Sequence, residues 1–234
     1  TEGSMRTQMM IILVVTLVAL AGLGVLIGLI AWLGWVGGGM TGLGLLAVLV
    51  ASYLLIVKPW HIRWGATDQE VTRVMPGDEL VTEASSATHA ISIQAAPEAV
   101  WPWLIQLGYG RAGWYSYDWI DNDFRRSSDR VLPEFQQLSV GDEILMAPNM
   151  GLTVHSIEVH KSIVSMMNDG TTSWCLALDS LNDGGTRLVS RWRPKLDMPA
   201  PMMAIVEPGA FIMERKMLKN LRRRIEGARR FSPI

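Results

Sequence analysis

From residue 7 to residue 57 the chain runs 51 residues without one Asp, Glu, Lys or Arg. As a single α-helix at ~1.5 Å per residue, this stretch would exceed twice the ~30 Å hydrocarbon thickness of a bilayer, so it has to double back. Gly37-Gly38-Gly39 is the predicted turn, because consecutive glycines weaken a helix and permit positive φ. The sequence therefore predicts a two-helix transmembrane hairpin in residues 1–59, with spans near 10–35 and 40–57. Ala19-Leu20-Ala21 faintly resembles a signal-peptide cleavage site, but the apolar run is too long and continues past it. Arg6 precedes the first span, Lys58 and Arg63 follow the second, and the turn carries no cation. Both the N-terminus and the C-terminal domain are thus expected in the cytoplasm, in an integral protein of the plasma membrane. Trp32 and Trp35 at one interface, and Tyr53, Trp60 and Trp64 at the other, fall where amphipathic aromatic belts occur. Gly24 and Gly28 have the spacing that lets helices approach closely.

All but one of the 22 acidic residues lie beyond Lys58, so the remaining ~170 residues read as one soluble domain. Residues 60–86 are largely polar, carry the turn signal Met75-Pro76-Gly77-Asp78, and are expected to form an irregular connector. Thr88 to Ile93 alternates like a half-buried strand, and Ala96-Pro97-Glu98 then starts a helix that Gly108 stops and Pro102 kinks. A second short helix is expected to begin at Asp118, with that residue as its cap. Period-two segments follow at 143–146, 153–159, 162–167, 173–181 and 187–192. Turn residues such as Asn168-Asp169-Gly170 and Asn182-Asp183-Gly184-Gly185 separate them, which predicts an antiparallel meander. A final helix over 208–230 carries Ala210, Met213, Met217, Leu221, Ile225 and Ala228 on one stripe, and that stripe needs a partner. The economical packing is α+β, a curved antiparallel sheet around the last helix.

That order, together with Ile91 to Trp103 (Ile-Ser-Ile-Gln-Ala-Ala-Pro-Glu-Ala-Val-Trp-Pro-Trp), resembles the SRPBCC superfamily, also called START-like, polyketide cyclase-like or helix-grip. His61 to Thr67, Pro76-Gly77-Asp78 and Gly113 to Trp119 further resemble an uncharacterised, membrane-anchored branch of it. The resemblance spans residues 60–230 and implies a START-like ligand-binding domain over 87–230, with a cavity between the concave sheet and the C-terminal helix. It implies no single chemistry, since relatives include cyclases, aromatases, carriers and binding modules.

Seven aromatic rings fall within 19 residues, at Trp101, Trp103, Tyr109, Trp114, Tyr115, Tyr117 and Trp119. Core packing accounts for some of them; the others are candidates to line an apolar pocket, with polar tips for a few directed hydrogen bonds. The ligand-binding set so defined is Trp101, Tyr109, Trp114, Tyr115, Tyr117 and Trp119, extended by Met166, Trp174, Met213 and Met217, with Arg111 as the cation that could meet a ligand oxygen. Gly108-Tyr109-Gly110-Arg111-Ala112-Gly113 spells a dinucleotide loop, but a helix precedes it where a strand is required, so a flexible loop at the cavity mouth is expected instead. Glu134, His155, Glu214 and Tyr115 are the possible acids or bases, none singled out by spacing, and the catalytic residues stay unassigned. The four histidines show no metal-ligand spacing, and no cofactor is expected. Cys175, the single cysteine, reads as a buried strand residue.

Eight basic residues against three acids follow Pro201 (Arg215, Lys216, Lys219, Arg222, Arg223, Arg224, Arg229, Arg230), whereas residues 58–200 hold 12 basic and 18 acidic. In a bilayer-tethered domain such a surface turns toward anionic lipid head groups more naturally than toward nucleic acid, which is not expected as a partner. The expected function is a membrane-anchored binding protein for an apolar small molecule or lipid such as a quinone, a fatty acid or a polyketide-like compound. A cyclase-, aromatase- or dehydratase-type enzyme and an interaction module of a membrane complex are the alternatives.

Overall fold

A computed structural model describes the backbone of residues 2–82, 84–195 and 199–231. The chain divides into two compact units, Thr1–Trp60 and His61–Ile234. The side chains of Arg6, Arg229 and Arg230 lie outside the described residues.

In the first unit α1 (Glu2–Ser52) is helical except at Gly34, whose φ of 73° and ψ of 172° belong to a region open essentially to glycine alone. A Cβ placed on Gly38 would come within 2.5 Å of the Ile30 Cα, and one on Gly42 within 2.9 Å of Leu26 Cδ1. In a straight helix Ile30 and Gly38 would stand ~12 Å apart, so the chain folds back about Gly34. The reversal thus falls ahead of the glycine triplet predicted for it. Gly38 sits instead inside the contact, where its missing side chain lets one helix reach the backbone of the other. A Cβ added to Gly24 or Gly28 would meet nothing within 4 Å, so the close approach uses Gly38 and Gly42. The helix continues through a π-helical turn at Tyr53–Val57 into α2 (Lys58–His61). Leu20–His61 is long and apolar enough to cross a membrane, and its most apolar window is not buried at all.

The second unit is built on one antiparallel sheet in the order β1-β6-β5-β4-β3-β2. Its strands are β1 (Ala87–Ile93), β2 (Glu143–Ala147), β3 (Met150–Glu158), β4 (Ser162–Met167), β5 (Thr172–Ser180) and β6 (Thr186–Pro194). Register shifts in β2 against β3 and in β3 against β4 bend the sheet. Between β1 and β2 lie α4 (Pro97–Ile105), with proline in its first turn, and the single turn of α5 (Asp118–Asp121). Tyr117, not Asp118, is the N-cap of α5; Asp118 already has helical geometry and accepts from the Ser127 hydroxyl instead.

Strand alternation puts Ile91, Leu152, Ile163, Trp174, Leu176 and Leu188 on the inner face, where α4 and α6 (Ala200–Phe231) close over them with Val100, Leu104, Leu218 and Leu221. Helix α6 begins eight residues before the predicted start and carries Pro208 inside it. The outer face is covered too: Ala90, Val164, Cys175, Ala177 and Val189 pack under Met75, Ala66 and Leu80. Residues 61–82 are therefore part of the domain and not an irregular connector. Within them α3 (Asp68–Thr72) is held by a reciprocal capping box between Thr67 and Glu70. Arg191 of β6 clasps this strap, donating to the carbonyls of Glu70, Val71 and Arg73, to the Asp78 carboxylate at 2.7 Å and to the Thr88 hydroxyl.

Candidate functional site

On the inner face the register sets His89 of β1 opposite Ser190 of β6. A hydrogen-bonded array runs across them to α6. Trp174 Nε1 donates to Ser190 Oγ at 2.8 Å, the Ser190 hydroxyl donates to Glu214 Oε1, and Glu214 Oε2 lies 2.8 Å from His89 Nδ1. His89 Nε2 is 2.8 Å from the His61 carbonyl oxygen. A carbonyl only accepts, so Nε2 carries a proton; a second proton on Nδ1 makes the ring an imidazolium facing the carboxylate. Burial alone would lower the pKa of His89, but the charge of Glu214 and the two hydrogen bonds outweigh it and hold the pKa above its ordinary value. The Phe211 ring covers the array, 5.4 Å from His89 and 5.3 Å from His61.

Beside this array stands an aromatic wall. Trp174 stacks on Trp192 at 4.7 Å and meets Trp114 at 5.7 Å, and the indole of Trp114 donates to the Leu145 carbonyl at 3.0 Å. Tyr115 is fully buried in a left-handed conformation (φ 56°), uncommon for a residue with a Cβ. It is fixed there by the Gln106 amide on its hydroxyl, the Ser127 hydroxyl on its amide and the Asn220 side chain on its carbonyl. Burial pushes its phenol up to about 12.

Of the predicted ligand-binding residues, Trp101, Trp114, Tyr115, Trp174 and Met217 are brought together within one buried inner cluster. Tyr109, Tyr117, Trp119 and Met213 are half-buried around it. Met166 is not part of it: with Val164 on the outer face and Met167 against the inner cluster, alternation turns Met166 outward. The run Ser162–Met167 is apolar on both sides, so its pattern alone could not choose. Arg111 is folded onto its own chain, donating to the carbonyls of Ile105 and Phe135 and lying over the Phe135 ring. Burial lowers its pKa. The glycine loop is not flexible in the sense expected, because Gly108 and Gly113 bond each other in both directions. Gly113 cannot be replaced without conflict: its φ is 86° and a Cβ there would sit 2.4 Å from Ser127 Oγ. Glu134 and His155 are exposed, which leaves Glu214 and Tyr115 as the buried members of the acid–base list.

Asp121 was not singled out by the sequence and is the most anomalous group in the domain. It is 7 % exposed, and neither carboxylate oxygen has a hydrogen-bond partner. The neighbouring Ser116 hydroxyl is committed to the Met213 carbonyl at 2.9 Å. Burial, and secondarily the charge of Asp118, push its carboxyl up to about 7, outweighing the weak, poorly aligned contacts of the Tyr117 and Asp121 amides and the Ser116 hydroxyl, none of which is a full hydrogen bond. The available signal was two acids three residues apart beside an aromatic run.

On the outer face a groove of about 480 Å³ is lined by Glu70, Arg73, Asp179 and Arg187 among others. Its charges answer one another, Arg187 with Glu70 and Arg73 with Asp179, each at 2.7 Å, so it presents no free charge of one sign. Cys175 is buried and its thiol is pushed up to about 12, chiefly by burial. Among the described residues no group of three His, Cys, Asp or Glu side chains could hold a metal.

The strand order and the terminal helix define an α+β helix-grip fold, the architecture that the SRPBCC resemblance implies. No family model and no curated protein matches the sequence. Similar solved structures include the protein MLL2253 from Mesorhizobium loti, at 14 % identity and a TM-score of 0.43 over 64 % of this chain and 100 % of that one. An AHSA1-like protein from Aeromonas hydrophila aligns at 19 % identity and a TM-score of 0.36, over 60 % and 93 %. DynU16, from the dynemicin biosynthetic locus, aligns at 12 % and 0.39, over 58 % and 46 %.

Proposed function

We propose that the protein is a membrane-anchored binding protein for an apolar small molecule or lipid, held between the sheet and α6. The observation that carries this reading is the His89–Ser190–Glu214 array set against the Trp114–Trp174–Trp192 wall. Apolar walls with a few convergent polar groups are the composition of small-molecule sites; the array's hydrogen bonds are made within it, so it gives that end of the site its polarity while the tryptophan wall supplies apolar contact. An isoprenoid quinone, a fatty acid or a polyketide-like molecule has that shape. The apolar N-terminal hairpin keeps such a guest close to the bilayer that dissolves it. The domain faces the cytoplasm of the plasma membrane, and the cations of α6 face anionic lipid. Organic extraction of protein purified from native-like membranes, followed by mass spectrometry, tests this. A copurifying lipid, and apolar-probe binding weakened by Glu214→Gln, are expected; neither lipid nor probe binding would end the proposal.

Asp121 favours one second reading, an enzyme acting on the bound molecule. A carboxyl near 7 can both give and take a proton at neutral pH. On that reading Asp121→Asn keeps probe affinity but changes the mass of the copurifying compound, because unconverted substrate accumulates. An unchanged mass would reject it.

A further inference from the structure

Phe211 divides α6 into two unlike halves. As far as Ile212, just past that ring, the outward side is apolar, with Met202, Ile205 and Ile212 at 51 %, 63 % and 51 % exposed. Glu207 is the sole charge from Pro199 to Met213. Beyond Phe211 the outward side is cationic, with Lys219, Arg222 and Arg223 exposed. At ~100° per residue, Ile205, Ile212, Lys219 and Arg223 share one helix face, opposite the buried Phe211, Leu218, Leu221 and Ile225. One face therefore passes from apolar to basic along its length.

The location of the apolar half follows from Phe211. Its ring packs on His61 at 5.3 Å and Trp64 at 6.4 Å, and Arg215 lies over the Trp64 ring at 5.1 Å. His61 follows Val57, the end of the uncharged run, by four residues. The middle of α6, from Phe211 to Lys219, thus packs on His61 and Trp64, the first residues of its own unit.

We infer that residues 202–212 of α6 lie in the boundary between lipid head groups and acyl chains, with Lys219, Arg222 and Arg223 on anionic phosphates. This rests on the membrane-anchored reading of the hairpin. Helices that lie in a membrane surface bury an apolar face ~5–10 Å below the head groups and keep their cations on the polar side. Here apolar and basic residues share one face and are offset along the axis, Ile205 to Ile212 and Ile212 to Lys219 each by ~10 Å, so α6 enters the boundary at a slant with residues 202–212 deeper than its cations. A protein partner would explain the apolar residues but not the ordered change to basic ones.

The test is a fluorophore on single cysteines at positions 205, 212, 159 and 46 of the full chain, in nanodiscs of phosphatidylcholine with phosphatidylglycerol, with and without brominated acyl chains. Cys175 is buried and stays unlabelled. Quenching by brominated lipid of about twofold or more is expected at Ile205→Cys and Ile212→Cys, and at Leu46→Cys in the hairpin. None is expected at Val159→Cys, which is 62 % exposed on the turn after β3. Quenching at 46 with 205 and 212 as bright as 159 overturns the inference and spares the anchor. No quenching at 46 overturns both. A blue shift at 205 and 212 without quenching also overturns it, in favour of a protein surface.

Discussion

Asp121→Asn tests the anomalous carboxyl directly. A group held at about 7 in the fold and at 3.8 in the unfolded chain binds its proton more tightly when folded. Its favourable contribution is complete below 3.8 and is lost as pH rises to about 7, so above that value the wild-type fold carries the full cost of a buried charge. The separation corresponds to about 4 kcal/mol at 1.36 kcal/mol per pH unit, and we take about half of that after local relaxation and water entry. Asparagine removes the charge at nearly constant volume. At pH 8 the variant is expected to melt ~4–8 °C above wild type, and at pH 4 the two are expected to coincide within a degree or two. Tryptophan fluorescence of the full chain in mild detergent reads the transition. Because His89 also destabilises the fold as pH rises, the quantity to follow is the difference between variant and wild type at each pH. If that difference stays flat from pH 4 to 8, or if the variant melts lower at pH 8, the carboxylate has partners or water and the reasoning fails.

Glu214→Gln removes the charge facing His89 and leaves burial opposed only by the remaining hydrogen bonds, so its pKa falls from the raised wild-type value; an NMR titration of the ring follows this, and an unmoved midpoint contradicts the array. In the wild type the raised pKa of His89 means its contribution is complete below 6.5 and fades as pH climbs through the folded value. Arg191→Ala strands three carbonyls and leaves Asp78 with only the Met75 amide and Arg193 at 3.7 Å, at about 1–3 kcal/mol, and releases the strap, so proteolysis within residues 66–82 accelerates. Gly38→Val drives a side chain into the Ile30 backbone and costs ~1–3 kcal/mol of hairpin stability, read as a longer distance between spin labels flanking the contact.

The strands were legible because their turn residues are explicit: Asn168-Asp169-Gly170 and Asn182-Asp183-Gly184-Gly185 fall between β4, β5 and β6. The stripe on α6 was legible in part. Met217, Leu221 and Ile225 are buried, but Ala210 and Ala228 are exposed, and Phe211 and Leu218 carry packing the stripe omitted. Pro208 hid the front of the helix because proline normally marks a first turn and here sits inside. The strap had a readable sign in Thr67 and Glu70, the spelling of a capping box. The array had none: His89 and Glu214 are 125 residues apart, and only strand register and helix docking bring them together. The burial of Asp121 is likewise set by the packing around it, although the charge that adds to it, Asp118, is a neighbour in sequence.

The two coverings of the sheet leave their mark on β5, which is buried at every position from Thr172 to Leu178. An ordinary half-wet strand gives mutation every second residue to work with. Here neither row of side chains is free, one being shut beneath the helices and the other beneath the strap. A substitution scan would therefore find seven intolerant positions in unbroken succession in β5, with permissive sites beginning only at Asp179. The middle of this sheet ages like the interior of a helix bundle rather than like a surface.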